Sequence, residues 1–319
     1  MRRLFFIALS FLAVLSTGAK ADDCTLHQYA SLPIVANANN MAVVEAQIGG
    51  HTYHLMVDTG GVYSMLQSDV ANSLKLSQYE IRSSEVYDAA GKRIRNYVEA
   101  PDFKLGPIVL EKFPMMVETD KAVHNSFEGT LGVDFLSRFD VEIDSANRKL
   151  NLFSPDHCTG KVVYWAKSYA DVTFTIHGTN IVVPLTLDGK SLNGVLDTGS
   201  SGSTINKTIA YRVFGLGETS PDVEHLSDAK PDDLIQYRFR FKSLDFNGVS
   251  VSNPLLFFLP DNGMNGLANE HPDKLVRDPI YGADFKAPDL ILGMDVLSPL
   301  HLYISYKEKT LYVTAADAH

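Results

Sequence analysis

The sequence predicts a mostly β protein assembled from two copies of one lobe, and three observations carry that prediction. β-Branched and aromatic residues alternate with polar ones along most of the chain, and glycine turns recur between the runs. The stretch "VVEAQIGGHTYHLMVDTG" at 43–60 is answered by "IVVPLTLDGKSLNGVLDTG" at 181–199. Each reads as strand, glycine turn, strand, and each ends its second apolar run on an aspartate. Finally, "LGVDFLSRFDVEIDSANRKLNLF" from residue 131 is matched without a gap by "LGMDVLSPLHLYISYKEKTLYVT" from residue 292. Leu131, Gly132, Asp134, Leu136, Ser137, Ile143 and Leu150 meet identical residues 161 positions later.

Taken in chain order, the first residues stand outside this repeat. Arg2 and Arg3, the apolar run "LFFIALSFLAVL" and the small residues of Ala19-Lys20-Ala21 form a secretory signal, with cleavage expected after Ala21. The run is too short to be a membrane span, and Ala21-Asp22-Asp23 before Cys24 lacks the approach of a lipoprotein signal. No membrane partner is expected after cleavage. Removing residues 1–21 takes three of the 28 Lys and Arg and none of the 38 Asp and Glu, which deepens the net charge from −10 to −13. An anionic chain of this kind is a poor partner for nucleic acid. Cys24 and Cys158 are the only cysteines, and in an oxidising compartment, periplasmic or extracellular, a bridge between them is expected.

The first unit spans about 38–155 and the second about 170–315, with lobe boundaries drawn at 22–160 and 161–319. In the first, "QSDVANSLKL" is a short helix with Ser68 as its cap. The segments "DFL" and "DVL" after each Leu-Gly form short helical turns, with Asp134 and Asp295 as caps, and each leads into a hairpin. The connection "SPDHCTGKVVYWAKSYAD" contains "KVVYW", which can also be read as a strand, and Trp165 there reads as packing. The second unit is longer, and much of the excess falls in the Pro-, Gly- and Asn-rich stretch 259–289, a surface insertion.

An apolar strand that ends on a carboxylate is costly unless the charge has work or a partner. Here it happens twice, at Asp58-Thr59-Gly60 and Asp197-Thr198-Gly199. With their later Leu131-Gly132 and Leu292-Gly293 segments, these turns resemble the aspartic proteases, in particular the retropepsin-like branch. The resemblance covers nearly all of the chain after the signal. It implies two β-barrel lobes about a pseudo-two-fold axis with a cleft between them, and Asp58 and Asp197 face to face as the catalytic pair. It further implies that Thr59 and Thr198 each bond the opposite loop, while Gly60, Gly199 and Ser200 support the two turns. Two carboxylates this close cannot both ionise and so share one proton, as the paired aspartates of that family do; one is base to water and the other is acid to the peptide carbonyl. No metal and no cofactor are required, the partner is a peptide or protein substrate, and two copies in one chain make a monomer sufficient.

Three features qualify that reading. Gly61 follows the first D-T-G where the second has Ser200, which removes a possible hydroxyl donor and loosens the turn. A flap over the cleft is expected at "EVYDAAGKRIRNYV"; Tyr87 there is a candidate to face substrate, with an ordinary cross-strand tyrosine as the alternative. The second-copy stretch "SPDVEHLSDAKPDDLIQYRF" is polar and proline-marked, and no matching flap is expected from it. His51 and His54 read as hairpin residues, and no H-E-x-x-H motif is present. "GSSGS" lacks the spacing of a serine-nucleophile elbow, and the two-carboxylate chemistry of glycosidases gives no reason for paired turns. The competing function is a non-catalytic peptide-binding protein on the same scaffold.

Overall fold

The computed structural model describes residues 24–37, 39–82, 86–87, 93–118, 127–227, 235–260 and 288–317. The expected signal segment and cleavage site, the tip of the expected flap and most of the 259–289 stretch lie outside the described residues.

The two hairpins read from the ungapped repeat become the floor of the molecule. Asp140–Asp144 pairs with Lys149–Phe153, and Leu300–Ser305 pairs with Thr310–Ala315. The two hairpins join edge to edge, antiparallel, with Val141 opposite Ile304 and Ile143 opposite Leu302. Gln28–Pro33 closes one edge against Lys149–Phe153, and Ala170–Thr173 closes the other against Thr310–Ala315. The result is one six-stranded sheet with three strands from each copy. Every residue of Asp140–Asp144 and of Leu300–Ser305 is buried, so the pseudo-two-fold axis passes through the least exposed part of the fold.

Above this floor each copy builds its own sheet by the same steps. In the first, Val43–Ile48 and His51–Val57 form a hairpin about Gly49-Gly50, both at positive φ (56° and 80°) as a two-residue type I′ turn requires. In the second, Asn180–Leu187 and Lys190–Leu196 turn about Asp188-Gly189 at 46° and 74°. Gly129–Leu131 then lies parallel to Leu55–Val57, and Leu290–Leu292 lies parallel to Gly194–Leu196. These parallel insertions are long-range, and they bring each Leu-Gly segment to the end of its own aspartate strand. The Phe103, Phe113 and Phe135 rings pack within 6.0 Å of one another in the first lobe's core, which continues through both copies.

Several local expectations need correction. Ser68 does not cap its helix: it is the first residue of Ser68–Ser73, with Gln67 at the cap position and no side-chain bond there. The second copy holds an equivalent helix that periodicity over so short a run did not reveal, Lys207–Phe214, with Asn206 accepting from the Ile209 N–H and Gly215 left-handed at its end. "KVVYW" is not a strand; Val162 is buried against Phe153, Tyr303 and Tyr312. Trp165 does pack, its ring stacked at 4.1 Å on His301. A second flap-like hairpin forms after all, Glu224–His225 against Tyr237–Arg238. Two residue pairs suffice for it, too few to leave an alternating pattern. Its first-copy counterpart pairs Gln78–Glu80 with Asn96–Val98, and the expected flap continues beyond it as Val86–Tyr87 paired with Arg93–Ile94; the side chain of Tyr87 lies outside the described residues. The expected bridge between Cys24 and Cys158 is formed, with Cα atoms 4.9 Å apart.

Candidate active site

Each aspartate sits one residue beyond a buried strand end, and the parallel neighbour fixes its backbone. The Asp58 N–H donates to the Leu131 carbonyl at 2.9 Å, and the Asp197 N–H donates to the Leu292 carbonyl at 3.0 Å. The glycine after each leucine is a requirement of space. A Cβ on Gly132 would meet the Tyr63 backbone at 2.6 Å, and one on Gly293 would meet the Gly202 backbone at 2.7 Å. Only a bare backbone lets the bracing segment lie on the loop it supports.

Ser64 and Ser203 lock that contact. Each hydroxyl accepts the N–H of the glycine, Gly132 at 3.0 Å or Gly293 at 2.9 Å. Each then donates to Asp134 (2.8 Å) or Asp295 (2.5 Å). Asp134 and Asp295 are therefore not caps of their helical turns, whose cap positions are Gly132 and Gly293. They reach across to the D-T-G loops, Asp134 also accepting the Phe135 N–H at 3.0 Å. Ser64 and Ser203 were legible as an equivalent pair only once the two D-T-G turns were aligned a few residues further on.

The two loops meet through the threonines, and all four bonds are buried. The Thr59 hydroxyl donates to the Leu196 carbonyl at 2.8 Å and accepts the Thr198 N–H at 3.1 Å. The Thr198 hydroxyl donates to the Val57 carbonyl at 2.7 Å and accepts the Thr59 N–H at 3.1 Å. Both threonines are fully buried. This reciprocal grip holds the loops so close that each glycine lies on the opposite acid. A Cβ on Gly60 would fall 2.5 Å from the Asp197 Cγ, and one on Gly199 would fall within 3 Å of all three carboxyl atoms of Asp58.

Asp58 and Asp197 are thus brought together, hydrogen-bonded to one another, with unequal surroundings. The Asp58 Oδ1 accepts two backbone N–H groups, Gly60 at 3.0 Å and Gly61 at 2.8 Å. The Asp197 Oδ1 accepts Gly199 at 2.9 Å; the Ser200 N–H lies 3.3 Å from the Asp197 backbone carbonyl and also lowers the pKa of the carboxyl, and the Ser200 hydroxyl donates to the Gly202 carbonyl. Burial raises the pKa of Asp58, opposed by the Gly61 and Gly60 N–H groups and by the bond from Asp197. Burial and then the charge of Asp58 push Asp197 up to about 8. Both carboxyls are held above the ordinary carboxylate range, and they titrate as a pair. Gly61, read from sequence as a loosened turn, supplies one of the two backbone donors that lower the Asp58 pKa, and it needs no left-handed backbone to do so.

No group of three or more His, Cys, Asp or Glu side chains with metal-holding geometry occurs among the described residues. His51 and His54 lie on the first hairpin as expected, His54 near Glu45 and Glu128 at 3.9 and 3.5 Å. Sequence reasoning missed a buried polar cluster in the sheet beneath the dyad. There His157 contacts Asp140 at 2.6 Å, and His301 contacts Glu142 at 2.9 Å.

Comparison with known proteins agrees with this geometry. Residues 44–138 match the family model for the gag-polyprotein putative aspartyl protease, and residues 183–296 match the model for aspartyl protease. No curated protein sequence matches significantly. Among solved structures, basic 7S globulin from soybean superposes with a TM-score of 0.52 at 10% identity, over 92% of this chain and 96% of the globulin. Likeness at that identity establishes the two-lobed fold and nothing about activity. With an aspartyl protease family model matched on each D-T-G copy, the chain belongs to the retropepsin-like aspartyl protease family.

Proposed function

We propose that this protein is an aspartic endopeptidase in which Asp58 and Asp197 hydrolyse peptide bonds of a peptide or protein substrate. The observation that carries the reading is the pair of adjoining carboxyls, Asp58 and Asp197, held together by the Thr59–Thr198 grip. A grip and a shared proton are what acid–base hydrolysis needs, and a passive binding surface has no use for a half-buried carboxylate pair whose members raise each other's pKa. Asp58, ionised, takes a proton from a water held between the carboxyls as that water attacks the peptide carbonyl carbon. Asp197 gives its proton to the carbonyl oxygen, forming a neutral gem-diol. The diol then collapses: its proton returns to Asp197, the C–N bond breaks, and Asp58 delivers its proton to the departing amine. Water is consumed, an acid and an amine are released, and the dyad recovers its starting state.

The two flap-like hairpins flank the cleft entrance in this reading. The Cys24–Cys158 bridge and the signal-like leader support export to the periplasm or beyond, as a monomer cleaved after Ala21.

The test is cleavage of a mixed peptide library by the mature protein between about pH 3 and 9, beside Asp58→Asn and Asp197→Asn. Cutting that both substitutions abolish supports the dyad. Peptide binding without cutting, retained in both variants, would replace the enzyme with a binder.

A further inference from the structure

The two copies differ at one place directly behind the catalytic loops. A cavity of about 280 Å³ lies between the segment Ile34–Ala42, the turn that carries Ser145 and Arg148, and the second-copy residues Met294 and Ser298. Its second-copy wall is tied to the active site, because the Met294 N–H donates to the carbonyl of Ser200, three residues past Asp197.

The repeat explains why there is space here. The ungapped 161-residue offset pairs Ile143 with Ile304, Ser145 with Tyr306 and Arg148 with Lys309. The two turns share a backbone: Arg148 and Lys309 have φ of 51° and 53°. Tyr306 packs against the core with its hydroxyl buried and unpartnered. On the pseudo-symmetric side Ser145 carries no ring, and the corresponding volume is open.

The walls say what fits. Ile34, Met41, Ile143 and Met294 supply apolar surface, and Arg148 stands at the cavity with no carboxylate paired to its guanidinium among the described residues. Asn37 is spent on its own loop, its amide donating to the Val35 and Met41 carbonyls and its oxygen accepting the Met41 N–H. Asn40, Ser145 and Ser298 add neutral polar groups, and the exposed Arg148 is the cation among the lining residues. A volume just under the roughly 300–1,000 Å³ of small-molecule sites admits one ring-sized group, not a folded partner.

We propose that this cavity is a second binding site for an aromatic ring bearing a carboxylate, the ring standing where Tyr306 stands in the other copy and the carboxylate on Arg148. Two sources present that chemistry: a free aromatic acid and the C-terminal residue of a peptide ending in Tyr or Phe. Peptide hydrolysis generates new C-terminal carboxylates, so if the protein is the endopeptidase proposed above, the second source is its own product. The binding site itself does not depend on that activity.

The experiment is calorimetric titration of the mature protein with N-acetyltyrosine, with N-acetyltyrosine amide, and with a tetrapeptide Ala-Ala-Ala-Tyr in the Asp58→Asn background, which prevents turnover. Saturable binding of the acid is expected, with the amide weaker by about ten- to a hundredfold for loss of one charge-assisted contact. Equal binding of acid and tetrapeptide assigns the site to free acids, and tighter tetrapeptide binding assigns it to peptide C-termini. Ser145→Tyr, which places the second copy's own side chain in the first copy's turn, should abolish binding while the melting temperature holds or rises. Arg148→Gln should match the amide's loss. The proposal is overturned if the acid and the tetrapeptide both fail to bind at about 10 mM, or if binding survives in a folded Ser145→Tyr protein.

Discussion

Gly61→Ala is the smallest change that separates a designed dyad from a decayed one. An added Cβ would lie 2.9 Å from the Asp58 Cγ and closer still to Oδ2, against an ordinary contact of about 3.5–4 Å. The carboxylate has to yield by roughly an ångström, and it has nowhere to go. Gly199 lies against its other face, where a Cβ would also fall within 3 Å, and the Gly60 and Gly61 N–H groups hold Oδ1 at 3.0 and 2.8 Å. Losing one such bond to a charged oxygen costs about 1.5–3 kcal/mol, and an ångström of misplacement costs about a hundredfold in rate. The expected result is a fall in kcat/KM of about a hundredfold with the melting temperature little changed. The acid limb of the pH profile should move upward, because the N–H groups that lower the Asp58 pKa are the ones disturbed. Ser200→Ala is the control: its Cβ is already accommodated, its hydroxyl serves only Gly202, and activity should stay within about tenfold. The reasoning fails if Gly61→Ala keeps kcat/KM within about threefold and leaves the acid limb in place.

Four further outcomes follow from the same geometry. Activity should decline as pH rises through about 8, where the pair loses the proton on Asp197, and on the acid side at a pH above the ordinary 3.8 of Asp58; a kcat/KM profile reads both limbs, which belong to the pair. Asp197→Asn should stabilise the fold at pH 8. A carboxyl pKa raised by folding contributes stability that is full below 3.8 and lost as pH climbs through about 8. Removing the titration should thus add about 1 kcal/mol or more at pH 8, seen as a gain of roughly 2–4 °C, and little at pH 4. Thr198→Val keeps the shape but strands the Val57 carbonyl and the Thr59 N–H; chemical denaturation should report a loss of about 2–4 kcal/mol, with activity lost as well. Replacing Cys24 and Cys158 by serine opens a loop with a sequence separation of 134 and should cost about 4–5 kcal/mol by denaturant titration.

The parts of this site that were legible in the sequence are those that duplication wrote twice. Asp58, Thr59 and Gly60 announce themselves because Asp197, Thr198 and Gly199 stand at the end of the same strand in the same unit, and the floor hairpins because their repeat runs without a gap. What could not be read was made by contacts between unlike partners. Glu142 and His301 come from different copies, and nothing in either local pattern says that Asp140–Asp144 and Leu300–Ser305 will pair in register. The role of Asp134 was misread for a related reason. An acid in the first turn of a helix is usually a capping or dipole residue, and only the parallel insertion of Gly129–Leu131 brings it to Ser64.

Duplication alone would give a symmetric pair of acids, and a symmetric pair does not decide which one is the base. Under the proposed mechanism, the decision is sought at residues where the copies have diverged. Gly61 gives Asp58 a second backbone donor at 2.8 Å, while its counterpart Ser200 divides its N–H between the Asp197 carbonyl and carboxyl and turns its hydroxyl to Gly202. Tyr306, set against Ser145, adds a buried phenol on the Asp58 side, which burial and the charge of Asp58 hold protonated. The grip, the bracing glycines and the Ser64–Asp134 and Ser203–Asp295 locks stay alike because they set position, which both halves need equally. Charge is what must differ, so mutations at matched sites should fall into two classes. Thr59 and Thr198 substitutions should be equivalent in effect, while substitutions at 61 and 200 should not, and that contrast is measurable in one set of rate profiles.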